Sequence, residues 1–141
     1  MDNIEVEQFA ILSDKLPASG EVDYETSLGF MYSVEAKKIA CTFILVYSDP
    51  DGDNPLLKMM LTCQFAIQPE DWVTMISDGY ITIPRNLQEF LAVHTVGTSR
   101  GVLFSKTEKT PFARLILPPV NVSEIIKGDI KESIPADDME K

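Results

Sequence analysis

The feature that most constrains this chain is a run of strict alternation. From Val22 the apolar and semi-apolar positions fall at every second residue: Val22, Tyr24, Thr26, Leu28, Phe30, Tyr32 and Val34. A period of two over that length marks a half-buried strand, because successive side chains leave a strand on opposite faces. Gly29 inside the run marks a bulge or bend. Lys37-Lys38 reads as a turn, and residues 39–47, IACTFILVY, are β-branched and aromatic enough to predict the next strand. Asp49-Pro50-Asp51-Gly52-Asp53-Asn54-Pro55 then stops it, since Asp-Gly favours a tight turn and two prolines remove ladder donors. Residues 56–67 predict a strand returning antiparallel. With residues 3–12 as a first strand and 13–20 as a turn-rich loop, the front half reads as a strand, a loop and a three-strand meander.

The back half changes period. After an irregular linker at 69–82 that contains Trp72, the residues Leu87, Phe90, Leu91 and His94 fall at i, i+3, i+4 and i+7, one face of a helix. Pro84 suits its first turn, Arg100 its last, and Gly101 the position just beyond its end. A helix is therefore expected near 85–100. Residues 102–105 and 111–117 read as extended, joined by the polar turn Lys106-Thr107-Glu108-Lys109-Thr110. Residues 120–127 read as a short helix. The expected fold is α+β: a four-stranded antiparallel N-terminal sheet packed against one main C-terminal helix plus a short helix. Residues 1–127 make a single domain. Residues 128–141, acidic and nearly without apolar pattern, are expected to be a disordered tail.

Composition narrows the function. The chain has 141 residues, 45% hydrophobic and 24% charged, enough for one real core. Acids outnumber bases by 22 to 12, and the excess sits in front, where residues 1–71 hold 13 acids against 4 bases. Such a surface disfavours nucleic acid or an anionic membrane, both of which need clustered Lys and Arg. The segment MDNIEVEQFA has acids where a signal peptide needs bases, and no stretch approaches 18 apolar residues. The expectation is a cytoplasmic protein, with Cys41 and Cys63 as reduced thiols and no membrane insertion.

Candidate chemistry is sparse. Asp49, Asp51 and Asp53 mimic a calcium loop, but Gly52 stands at position 4 and Met60 at position 12, where an EF-hand needs Gly at 6 and Glu at 12. Cys41, Cys63 and His94 lack metal-ligand spacing, and strand cysteines usually pack as small hydrophobes. His94 sits on an apolar helical stripe and reads as packed and hydrogen-bonded. No nucleophile, base and orienting group stand together in any motif, so no enzyme activity, cofactor or metal is expected. Gly97-Thr98-Ser99-Arg100-Gly101 places glycines at a helix end, where free carbonyls repel phosphate. Gly97 and Gly101 instead permit close approach of another backbone, in helix packing or a subunit contact; the plainer reading makes Gly101 only a cap. Glu21, Asp23 and Glu25, at alternate positions of one strand, form an acidic face that suits a basic partner.

The order of elements resembles the SecB family of export chaperones. Ser99-Arg100-Gly101 is similar to the family's Ser-Arg-Gly at the same helix end, and Leu117-Pro118-Pro119-Val120-Asn121-Val122 to its Leu-x-Pro-Val-Asn-Phe segment. Residues 22–47 look like its long second and third strands, and Cys63-Gln64-Phe65-Ala66-Ile67 like the end of its fourth. The resemblance implies a cytoplasmic holdase that binds unfolded or extended polypeptide for export, assembled as a homodimer or homotetramer, with a SecA-type translocation ATPase as partner. Client-contact candidates are Leu16, Trp72, Val122, Ile125 and Ile126. Subunit-contact candidates are Leu91, Thr95, Thr98 and Gly101. The last helix looks shorter than the family's, which favours an alternative: an interaction module of the same fold dedicated to one partner protein.

Overall fold

The computed structural model describes residues 1–52 and 54–135. The fold is α+β, and the front half follows the alternation. Strands β1 (Asn3–Ile11), β2 (Asp23–Ser33), β3 (Lys38–Ser48) and β4 (Pro55–Ala66) form one antiparallel sheet in the order β1-β4-β3-β2. The crossover from β1 to β2 carries the chain across the sheet, so β1 and β2 become its two edges. The register is continuous across β2 and β3 (Leu28↔Phe43, Phe30↔Cys41), and β4 continues it with Leu61 opposite Phe43. A bulge between Val6 and Gln8 leaves Glu7 unpaired in β1.

One face of the sheet is the core. Ile39, Cys41, Phe43, Leu45 and Tyr47 of β3 and Leu57, Met59, Leu61, Cys63 and Phe65 of β4 are all buried. Helix α2 (Arg85–Thr107) lies over them. Its buried positions, Gln88, Leu91, Ala92, Thr95, Val96, Ser99, Leu103 and Thr107, repeat at the helical period along one face. The buried hydroxyls there are satisfied within the helix: Thr95, Ser99 and Thr107 each donate to the carbonyl four residues back, at 2.8 Å.

The helix is longer than its glycines suggest. It runs through Gly101 to Thr107, so Gly101 is no cap and residues 102–105 are helical rather than extended. A helix-interior glycine costs about 1 kcal/mol. Burial of Leu103 and Thr107 offsets that. Four residues, 102–105, are also too few for periodicity to separate strand from helix. Residues 111–114 form one 3-10 turn instead of extended chain.

The expected linker at 69–82 is ordered. Helix α1 (Pro69–Met75) buries Trp72 and Met75, and a hairpin of β5 (Ile76–Ser77) and β6 (Tyr80–Ile83) follows. Its two-residue loop, Asp78-Gly79, has φ of 53° and 80°. A tight hairpin turn that matches strand twist needs positive φ at both positions, and Asp-Gly supplies it. Helix α3 (Val122–Ile125) is a single turn. Strand β7 (Ile130–Ser133) pairs with β6, so residues 130–133 are not part of a disordered tail. Two anchors explain the correction. Asp129 Oδ1 accepts the Arg85 backbone N–H at 2.8 Å, placing a carboxylate at the positive end of α2, and Ile134 is buried in the core. Residues 136–141 of the expected tail lie outside the described residues.

Candidate functional site

Three surfaces stand out, and each follows from how the helix and the C-terminal segment meet the sheet. The first is a groove of about 340 Å³ between the β2 edge and residues 125–130, lined by Leu28, Gly29, Phe30, Ile125, Ile126 and Ile130 among others. β2 has β3 on one side only; among the described residues its outer edge carries no further strand. An open edge presents unpaired N–H and C=O groups that an extended chain can meet. The far wall is held by Gln88, which is buried and donates through Nε2 to the carbonyls of Ile83 (2.9 Å) and Gly128 (2.8 Å). Arg85 Nη2 adds a bond to the Ser123 carbonyl at 2.7 Å.

The second surface is the outward face of α2. Phe90 (59% exposed), Val93 (57%), Gly97, Gly101 and Phe104 (62%) share it, with His94 edge-on to Phe90 at 4.6 Å between ring centroids. At 3.6 residues per turn these positions fall within about 100° of arc, opposite the buried face. Leu87 and Leu91 turn toward the core while Phe90 and His94 turn away, so the four-residue stripe expected from sequence is split between two faces. His94 is accordingly exposed, not packed in the core. A Cβ added at Gly97 or Gly101 would meet nothing within 4 Å. The folded chain itself thus has no steric need for either glycine, although each weakens the helix.

The third surface is the β2 entrance. Asp23 and Glu25 are exposed and share the sheet face turned away from α2, while Glu21 precedes the strand rather than lying within it.

The structure redistributes the other expected contact residues. Leu16 is half-buried beside Pro17 and Leu56 in the crossover loop. Trp72 is buried beneath α1 and Val122 is buried in the core, so neither offers a surface to a client. Ile126 is also buried, with its edge on the groove, and Ile125 is half-buried there. Leu91 and Thr95 are buried against the chain's own sheet and do not face a second subunit. Thr98 is half-buried on the helix flank, and of that set Gly101 alone lies on the outward face. The reason is common to all: a stripe seen in sequence has a face but no direction until a partner surface is placed against it. Phe104 and Gln88 were not among the expected site residues. Phe104 could have been found by extending the seven-residue spacing from Phe90 through Gly97.

Cys41 and Cys63 stand opposite each other on β3 and β4, both buried, while His94 faces away from them. Burial pushes the Cys41 thiol up to about 11, against the opposing pull of the Thr95 hydroxyl, and raises Cys63 for the same first reason. A neutral buried thiol is a packing group, not a nucleophile. The sign for stability follows. Between its ordinary 9.0 and about 11 the Cys41 thiol loses its proton in the unfolded chain but keeps it in the fold, so stability falls as pH rises through that window. Two units correspond to about 3 kcal/mol. Urea unfolding at about pH 8 and about pH 10.5 should show this loss, with a smaller loss in Cys41→Val. Equal losses in both proteins would contradict it.

A scan against models of known protein families finds no match to this chain, and a search of curated proteins finds none. No described helix is long and apolar enough to cross a membrane.

Proposed function

We propose that this protein is a non-catalytic, cytoplasmic holdase of the SecB type, binding extended non-native polypeptide as a homo-oligomer. The observation that carries the reading is the open β2 edge beside an apolar groove. An extended segment would add along β2 by main-chain hydrogen bonds and place alternate apolar side chains between Leu28, Phe30, Ile125 and Ile130. Buried apolar surface contributes roughly 25 cal/mol per Å². Each groove alone is therefore weak, and several grooves on one assembly add by avidity. The outward face of α2 supports assembly, because exposed Phe90 and Phe104 flank glycines that only an outside neighbour would use. The exposed acids Asp23 and Glu25 suit a basic partner, such as a SecA-type ATPase.

Aggregation of several unrelated denatured proteins, followed by light scattering, tests the reading. The expected result is suppression near one oligomer per client, weakened by Ile125→Lys. No suppression of any of them by the assembled protein would overturn it.

A second reading is favoured by α3, which is only four residues long, so the groove wall is one turn deep. A wall that short suits a single dedicated partner. Tight binding of one protein with indifference to denatured chains would select it.

A further inference from the structure

Gly29 stands in the middle of β2, and nothing within the chain requires it. The register runs straight through it, as Leu28↔Phe43, Gly29↔Thr42 and Phe30↔Cys41, so the bulge expected from sequence is absent. Its φ lies outside the left-handed region, and a Cβ added there would meet nothing within 4 Å. Glycine weakens a strand interior, and where neither bulge nor bend uses it, it marks a place that a ligand or another backbone approaches closely.

The hydrogen-bond pattern shows from which side that approach comes. Ile67 N–H donates to the Lys37 carbonyl at 3.0 Å, one step beyond the Lys38↔Ala66 pair, so the odd-numbered residues of β3 bond to β4. The even-numbered ones, Thr42 among them, bond to β2, and Gly29 spends its backbone groups on that pair. Leu28 and Phe30 therefore direct theirs outward, along the edge that lines the groove.

An antiparallel strand added there, the more stable direction, bonds to Leu28 and Phe30. The residue between those two contacts stands directly opposite Gly29, in the closer, non-hydrogen-bonded type of pair. Its side chain falls on the sheet face turned away from α2, over a position with no side chain. Thr42 and Met31 border that position, Met31 being 71% exposed. The Thr42 hydroxyl is already bonded to that of Thr62 at 2.7 Å, so a ring laid over it strands no polar group. A flat aromatic ring opposite a strand glycine covers the bare backbone, and a thioether packs well at a ring edge. The residues on either side of the ring pair with Leu28 and Phe30 and face the groove, where Ile125 and Ile130 select aliphatic side chains.

We propose that Gly29 makes β2 selective for an extended segment of the pattern aliphatic–aromatic–aliphatic, with the aromatic ring seated over Gly29 against Met31 and Thr42. The inference rests on the reading that the protein binds extended polypeptide along β2, and it names the residues that such a segment would carry.

Calorimetric titration of the full-length protein tests it with a blocked nonapeptide, Ser-Lys-Thr-Val-Tyr-Val-Thr-Lys-Ser, and the same peptide with alanine for tyrosine. The tyrosine peptide should bind about fivefold more tightly, the scale of one favourable cross-strand aromatic pair. Gly29→Asp should bring that ratio close to one, because a carboxylate beneath the ring repels its face; glycine and aspartate are both poor strand formers, so the fold should change little. With benzoylphenylalanine in place of tyrosine, photo-cross-linking read by mass spectrometry should mark Met31 or Thr42. Equal binding of the two peptides, a preference that survives Gly29→Asp, or cross-links to Ile125 or Ile130 instead would overturn the proposal, while polypeptide binding itself would stand. Binding of neither peptide would overturn it together with the reading on which it rests.

Discussion

Replacing Phe43 with Ala is expected to lower the stability of the folded chain by about 3–5 kcal/mol, the range for removing a fully buried aromatic ring. Phe43 is completely buried, at the middle of β3, with Leu28 of β2 on one side and Leu61 of β4 on the other. It therefore joins three strands at once beneath α2. The loss has two parts: the transfer free energy of the ring and the cavity left among neighbours that cannot collapse into it. Against a typical total of about 5–15 kcal/mol, that is enough to leave a substantial unfolded population at 37 °C. Urea unfolding followed by the fluorescence of Trp72 measures it. A loss below about 1 kcal/mol would mean that the sheet relaxes around the gap and that Phe43 is not central to the core.

Gly101→Leu is expected to move fold and assembly in opposite directions. The position is exposed, in the interior of α2, with open space where a side chain would go. Leucine is the better helix former by close to 1 kcal/mol, so the unfolding midpoint of the isolated chain should rise slightly. The same side chain stands between Phe104 and Gly97 on the outward face, where a second helix would otherwise approach closely. Phe90 and Phe104 lie at equal distances along the helix on either side of Gly97, an arrangement that is self-complementary under a two-fold axis. Light scattering should therefore give an assembled mass for the wild type and a mass falling toward the 15.7 kDa of one chain for Gly101→Leu. Phe104→Ser should dissociate the assembly without the gain in stability. An assembled mass unchanged in both variants would place the subunit contact elsewhere.

Legibility in the sequence followed the length of each pattern. The long strands were readable because their patterns are long: strict alternation in β2, and apolar, β-branched or aromatic runs bounded by turn residues in β3 and β4. The small sheet was not readable from its strands, since β5 has two residues and β6 has four. Its turn carried a legible signal in Asp78-Gly79, whose positive φ values are those of a tight hairpin. The acids of the C-terminal segment misled for a related reason. Charge counted along the chain looks like a solvated tail, yet Asp129 has a specific acceptor role at the start of α2, 44 residues earlier in sequence.

The sequence by itself determined the strands of the main sheet, the presence of a long helix after Pro84 and the acidic character of the front half, because each rests on local period or on composition. Only the tertiary structure decided which side of α2 is core and which is open, since Leu91 and Phe90 are adjacent apolar residues until the sheet claims one of them. It also decided that the buried Tyr47 of β3 meets residues 115–118 around one cavity. That depends on β2, β3 and residues 115–118 meeting at one place, and no local pattern encodes contacts between segments so far apart.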